Sequence, residues 1–285
     1  MTRAGTLRRK DRLKAAPLPE LPLRVASALV LAAVAIAATF LSPWSFLALV
    51  ILASVAVAWE WGRLVRSAGF DVTAIVQMVS VASAAILVAL GRIDLALLVL
   101  AVAIGIVALL GRGMAGAAWS VTGLLYAALP VTALIWLRGV ETLGALAVLF
   151  VLLVAWTTDT ASYAAGRLLG GPKLAPAISP KKTWSGFIIG TLAPALIGYA
   201  FAAAIGDTSA WALGTVAVCL ALACQLGDLF ESAVKRHFGT KDMSQLIPGH
   251  GGLLDRLDGS LFAAVVAAAI ALRDPGQPAA GLLIW

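Results

Sequence analysis

The sequence predicts an all-α polytopic membrane protein of about nine transmembrane helices, and three observations carry that prediction. Of 285 residues, 61% are apolar and only 12% charged, with a mean hydropathy of +0.99, a composition that water-soluble domains do not reach. Apolar runs near or above the length of a membrane crossing recur from Leu23 to Leu272, and in lipid only helices or closed barrels satisfy the backbone. Lys and Arg then fall almost wholly on one side of the resulting topology.

In chain order, the first 22 residues are a tail. Between Arg3 and Arg24 seven basic residues stand against Asp11 and Glu20, with Pro17, Pro19 and Pro22 breaking any helix. No short apolar segment with a small-residue cleavage site precedes the first span, so a retained cytoplasmic tail is expected rather than a signal peptide. Spans follow at 23–41, 44–65, 72–90, 94–110, 117–137, 142–165, 184–206, 210–236 and 258–272, read from apolar runs between charges and Gly or Pro. The fourth is tight and the ninth short. With the N-terminus in the cytoplasm, 18 of the 21 Lys and Arg lie inside, and only Arg92, Arg138 and Arg273 lie outside.

This divides the chain into the basic tail 1–22, N-terminal transmembrane helices 23–140, and a C-terminal catalytic transmembrane region 141–285 with cytoplasmic loops 157–185 and 227–259. The net charge of +7 reads as topology and attraction to an anionic leaflet or substrate, and no nucleic-acid partner is expected. Cys219 and Cys224, five apart in one apolar run, read as small buried residues.

The two polar segments hold the chemistry. In the second, Asp228 stands near the end of the eighth span. If the helix continues through Lys235, then Asp228, Glu231, Ser232 and Lys235 share a face. Ionisable groups at that depth are costly unless paired or functional. Beyond Arg236 come Lys241-Asp242, Pro248-Gly249-His250-Gly251-Gly252 and Asp255-Arg256-Leu257-Asp258-Gly259. The glycines let a ligand approach the main chain. Asp228, Asp255 and Asp258 supply the hard oxygens that magnesium prefers while substrate phosphates complete its shell. Lys235, Arg236, Lys241 and Arg256 bring positive charge to the same place. Acid and base without a nucleophile–base pair point to phosphate chemistry. In the first segment Asp159 and Tyr163 are one turn apart, followed by Gly166-Arg167. Ser179-Pro180-Lys181-Lys182-Thr183 then reads either as a phosphate contact at a helix start or as a basic loop on lipid headgroups.

The run Ser232-x-x-Lys235-Arg236, four residues, Lys241-Asp242-x-Ser244, then Ile247-Pro248-x-His250-Gly251-Gly252-x-x-Asp255-Arg256-x-Asp258 resembles the signature of phosphatidate cytidylyltransferases, also called CDP-diglyceride synthases. The likeness extends to Asp159, Tyr163, Gly166-Arg167, the Ser-Pro-Lys-Lys-Thr run and Glu60, and covers roughly residues 155 to 260. Ser162 stands where the family usually has Ala, and Ser185 where it has Glu or Gln. The resemblance implies CTP and phosphatidic acid as substrates, CDP-diacylglycerol and pyrophosphate as products, and a homodimer among membrane lipids. It also implies Mg2+ with Asp228 and Asp255 as metal ligands, and a second, monovalent cation such as K+.

On this reading Lys235, Arg236, Lys241 and Arg256 hold the anions, while Asp258 is a further ligand or orients Arg256. Ser232 completes the metal shell or donates to a phosphate; His250 is a phosphate donor or a loop-shaping contact. Ser179, Lys182, Thr183, Asp159, Tyr163, Arg167, Gly251 and Gly252 complete the substrate-binding set. The expected location is the inner membrane of a bacterium, with the site facing the cytoplasm. The alternatives are a CTP-dependent polyprenol kinase, which releases CDP instead of pyrophosphate, and an anionic-solute transporter, which usually shows internal repeats. Asp255 to Gly259 also imitates the opening of the CDP-alcohol phosphotransferase motif, whose later aspartates are absent here.

Overall fold

Eleven α-helices and one two-stranded antiparallel sheet make up the described part of the computed structural model, which covers residues 20–111, 113–244, 246 and 251–285. The helices are α1 (Glu20–Leu41), α2 (Pro43–Arg66), α3 (Val72–Ala89), α4 (Ile93–Leu110), α5 (Gly113–Arg138) and α6 (Thr142–Leu168), then, after β1 (Lys173–Ala175) and β2 (Ser179–Thr183), α7 (Trp184–Leu192), α8 (Ala195–Ile205), α9 (Ala210–His237), α10 (Leu254–Ala271) and α11 (Pro278–Leu283). Most of the basic tail, together with Arg112, Ile247, Pro248 and His250, lies outside the described residues.

Seven segments of the described chain are long and apolar enough to cross a membrane: α2, α3, α4, α5, α6, the α7–α8 pair and α9. The protein is therefore an all-α polytopic membrane protein. The other two expected spans correspond to α1 and α10. Helix α1 runs 22 residues from Glu20 to Leu41 and is apolar over its described part Ala26–Leu41. In α10 three charges, Asp255, Arg256 and Asp258, crowd the first turns.

Helix boundaries depart from the apolar runs in informative ways. The seventh span is two helices, because Pro194 has no N–H for the ladder and its ring crowds the carbonyl one turn back. The expected loop 157–185 is helical to Leu168, and the expected loop 227–259 is helical to His237 and again from Leu254. Hydropathy falls where charges begin, but backbone hydrogen bonding does not stop there. Within the first polar segment, Gly170 and Gly171 take positive φ values of 63° and 105° that release the chain from α6. A turn at Pro176, closed by the Ile178 N–H donating to the Ala175 carbonyl at 3.1 Å, folds β1 onto β2. Cys224 is buried, but Cys219 is exposed, because five residues on a helix turn a side chain to another face.

Hydrogen bonds define the two ends of the bundle. Arg138 at the end of α5 donates to the Thr39 carbonyl of α1 at 2.8 Å, and the Ser209 N–H donates to the Trp285 carbonyl at 3.2 Å. At the other end meet the C-terminal turns of α2, α6 and α9, the start of α5 and the start of α10. Two apolar cores fill the space between: one joins α2–α5 to α6, α9 and α10, the other joins α5, α6, α8, α9, α10 and α11. Of the helices in both, α9 and α10 share the most extensive contact.

Those two helices cross through glycines. A Cβ on Gly227 would stand 2.5 Å from the Asp258 carbonyl, and one on Gly259 would stand 3.0 Å from Asp228 Oδ1 and 3.1 Å from the Cys224 carbonyl. Small residues allow this approach, and it sets Asp228 and Asp258 against each other. Gly227→Ala should force the helices apart and cost about 1–3 kcal/mol, measurable as a lower thermal midpoint of the detergent-purified protein; an unchanged midpoint would show that the crossing is loose.

Candidate active site

Helix α10 begins without a cap of its own, since Leu253 has no side-chain acceptor for the first N–H groups. Glu60, fully buried near the end of α2, takes that role from a distant part of the sequence. Its Oε1 accepts the Leu253 N–H at 2.8 Å and its Oε2 the Leu254 N–H at 2.7 Å. The Ser244 hydroxyl adds a third bond to Oε1 at 2.5 Å. A carboxylate at a helix N-terminus meets both free N–H groups and the positive end of the dipole. Gly252 lies so close that a Cβ there would be 2.7 Å from Glu60 Oε1.

Asp255, in the first turn of α10, is the next layer. Its Oδ2 accepts the Gly252 N–H at 2.8 Å and the Met243 N–H at 3.1 Å, while Oδ1 accepts the Lys235 ammonium at 2.7 Å. One carboxylate thus pins both ends of the connecting loop. Gly251 makes the approach with φ +88°, where a side chain would be strained and its Cβ would lie 3.1 Å from Asp255 Oδ2. Lys235 also contacts Glu231 Oε2 at 2.6 Å. Glu231 is 2% exposed, and its Oε1 has no hydrogen-bond partner among the described residues.

The third layer joins the two polar segments. Lys182 on β2 reaches Asp228 of α9, Nζ to Oδ2, at 2.9 Å, and Arg236 donates to the Ile178 carbonyl at 3.2 Å. Asp159 of α6 lies within electrostatic reach of Asp228, Lys182 and Arg256, and Asp258 within reach of Asp228, Glu231 and Asp159. Asp159 and Asp228 each precede the end of their helix by nine residues, about 13 Å along the axis. The site is therefore a polar chamber sunk between helix ends.

Of the residues singled out in the sequence, the fold brings Asp228, Lys235, Asp255, Arg256, Asp258, Asp159 and Lys182 into one region. Gly251 and Gly252 shape the loop around Asp255. Ser232 is half-buried on α9. Thr183 is engaged elsewhere, its buried hydroxyl accepting the Gly186 N–H at 3.2 Å as the cap of α7. Ser179 pairs with Ala175 in the hairpin. Tyr163 is 67% exposed and accepts from Arg167 at 2.8 Å, so this pair stands outside the carboxylate cluster. Lys241 lines a separate cleft with Arg63 and Trp59. Glu231 reads in the sequence only as part of a polar stripe, and Tyr126, whose ring packs on Phe230 at 5.4 Å, gives no signal within its apolar run.

The donor set suits magnesium bound jointly with a substrate. Among the described residues no three Asp, Glu, His or Cys side chains group into a protein-only metal cage. Magnesium commonly takes one or two carboxylates and completes its shell with phosphates and water. Asp228 and Asp255 each already carry a lysine ammonium, at 2.9 and 2.7 Å, which marks both as places where cationic charge is stabilised.

A family model described as the cytidylyltransferase family matches residues 22–272. The phosphatidate cytidylyltransferase of Brucella suis is 36% identical over 249 residues, covering 87% of this chain and 92% of that protein. That of Staphylococcus epidermidis is 46% identical over 116 residues, covering 40% of this chain and 45% of its own.

Removing the long-range cap tests the site's frame. Glu60→Ala strands three donors and should destabilise the protein by about 3 kcal/mol or more. Glu60→Gln, with one oxygen left to accept, should cost less. Thermal unfolding in detergent ranks them; equal stability for wild type and both variants would refute the capping role.

Proposed function

The chain belongs to the cytidylyltransferase family, and we propose that it transfers the cytidylyl group of CTP to phosphatidic acid, forming CDP-diacylglycerol and pyrophosphate. The observation that carries this reading is the meeting of the two polar segments, with Lys182 on Asp228 and Lys235 on Asp255, at the ends of membrane-length helices. Such a place serves a substrate anchored in the leaflet and another arriving from water.

In the reaction, an oxygen of the lipid phosphate attacks the α-phosphorus of CTP. The bond from that phosphorus to the bridging oxygen breaks, and pyrophosphate leaves with the electron pair. The attacking oxygen is negatively charged at neutral pH, so no side chain has to remove a proton from it. The obstacle is repulsion between two anions. Lys182, Lys235 and Arg256 gather around the chamber to offset it, and Arg236 holds the hairpin that carries Lys182. Magnesium held by Asp228 and Asp255 with the triphosphate oxygens would neutralise charge on the leaving group. Asp258, in reach of Asp228, is a further ligand or an orienting partner. A monovalent cation such as K+ and a homodimeric assembly are carried over from the family resemblance.

We place the chamber on the cytoplasmic face of a bacterial inner membrane. Arg63, Arg66, Arg167, Lys173, Lys181, Lys182, Lys235, Arg236, Lys241 and Arg256 lie at the chamber end, whereas Arg92, Arg138 and Arg273 lie at the other, which supports the positive-inside assignment. On the nine-span reading, α1 and α10 complete the crossings. The family match and the relatives' names favour this function over a polyprenol kinase or a transporter.

Purified protein given labelled CTP, phosphatidic acid and magnesium should yield a CDP-lipid and pyrophosphate; CDP as the nucleotide product would instead indicate a kinase. Asp228→Asn and Asp255→Asn should abolish turnover while the protein remains folded in the membrane, and full activity in either would remove that residue from the metal site. For orientation, a Cys219→Ala, Cys224→Ala background carrying Arg92→Cys should react with an impermeant maleimide in spheroplasts. The same background carrying Lys173→Cys should react only after permeabilisation; the reverse pattern inverts the topology.

A further inference from the structure

A groove of about 280 Å3 follows the seam between α5, α9 and α10, and its lining is apolar apart from the hydroxyl-bearing Thr122 and Tyr126. The Thr122 hydroxyl is occupied by the Ala118 carbonyl at 2.8 Å. Tyr126, Phe230 and Phe262 form an aromatic wall, with ring centroids 5.4, 5.6 and 6.1 Å apart. Leu129 stands at the rim, 43% exposed. Pro130 lies one turn beyond Tyr126 within α5. It cannot donate to the Tyr126 carbonyl and its ring crowds that group, so α5 is locally unlocked beside the groove.

Tyr126 joins this apolar space to the chamber. Its side chain is 7% exposed, and its hydroxyl has no hydrogen-bond partner among the described residues. Its ring packs on Phe230, which precedes Glu231 in α9, and on Phe262, one turn beyond Asp258 in α10. A buried hydroxyl left without a partner is costly, and here it belongs to a groove walled by the same two helices, α9 and α10, that carry the Glu231–Lys235 and Lys235–Asp255 pairs. The larger cleft beside Ser244, about 690 Å3 between Trp59, Arg63 and Lys241, has charged walls unsuited to a hydrocarbon chain.

Resting on the reading that the substrate is phosphatidic acid, we infer that the α5/α9/α10 groove holds one of its acyl chains and that the Tyr126 hydroxyl donates a hydrogen bond to its phosphate. The lipid then slides laterally past Leu129, its chain lying on the aromatic wall while its headgroup reaches the chamber. Groove and hydroxyl together suit a molecule that is hydrocarbon along its length and anionic at one end.

The test uses the full chain in phosphatidylcholine vesicles with phosphatidic acid carrying a diazirine in an acyl chain. After irradiation, labelled peptides should map to residues 122–130 and 261–266, and excess unlabelled phosphatidic acid should suppress them while added phosphatidylcholine does not. Labelling elsewhere, or equal suppression by both lipids, overturns the assignment. Crosslinking needs no turnover, so specific labelling without CDP-lipid formation would reject the proposed reaction and keep the groove. Tyr126→Phe removes only an unpaired group, so the fold tolerates it. It should raise KM for phosphatidic acid about tenfold while KM for CTP stays within about twofold. Leu129→Trp should lower kcat/KM more for dioleoyl than for dioctanoyl phosphatidic acid. Equal losses on both lipids, or an altered oligomeric state without chain-length discrimination, overturns the proposal.

Discussion

The architecture of the chamber depends on one carboxylate that never has to touch a substrate. Glu60 caps α10 from α2, and α10 carries Asp255 and Asp258. Without that cap the first turn of α10 would present free N–H groups inside the protein, where water cannot replace the missing acceptor. The same carboxylate fixes Ser244, so a single buried charge sets both the start of the helix and the path of the loop before it. This is a positioning role: Glu60 acts on the chemistry through the residues it holds.

Around that frame, acidic and basic groups restrain one another. Lys235 bridges Glu231 and Asp255, and Lys182 meets Asp228. Ion pairs in a protein interior often contribute little net stability, because desolvation offsets their attraction. Their value here is spatial. They align α9, α10 and the hairpin after α6 while keeping carboxylate oxygens and ammonium groups near where two highly charged substrates meet. The glycine crossing of α9 and α10 serves the same end, since bulkier residues would separate Asp228 from Asp258.

Much of this is legible in the sequence where the signal is local. Apolar runs identify the membrane class, and the run from Ser232 to Asp258 carries the family resemblance that implies the chemistry. What stays hidden depends on contacts between distant elements. Glu231 sits three residues after Asp228 and four before Lys235, which reads as an ordinary polar stripe. The fold buries it and, through Lys235, joins it to Asp255 of α10. Thr183 resembles a phosphate donor because Lys181 and Lys182 precede it, yet the start of α7 claims its hydroxyl. Tyr126 lies in an apolar run that offers no warning of a nearby charge. The end of α6 falls at Leu168, three residues past its apolar run, because hydropathy records where side chains become polar rather than where the helical ladder ends, whereas α9 ends at His237, within one residue of its run.

The Glu60 cap also bears on how the chain is made. Its Oε2 and the Leu254 N–H it accepts from are 194 residues apart, so α2 is synthesised long before its partner exists. At bacterial-like elongation rates of about 5–20 residues per second, that interval is about 10–40 seconds. Throughout it, the carboxylate needs another solvent, and its position in the last two turns of α2 keeps it near the aqueous boundary beside Arg63 and Arg66. The latch on α2 can therefore close only once α10 has emerged, with α11 still to dock on α6 and α10.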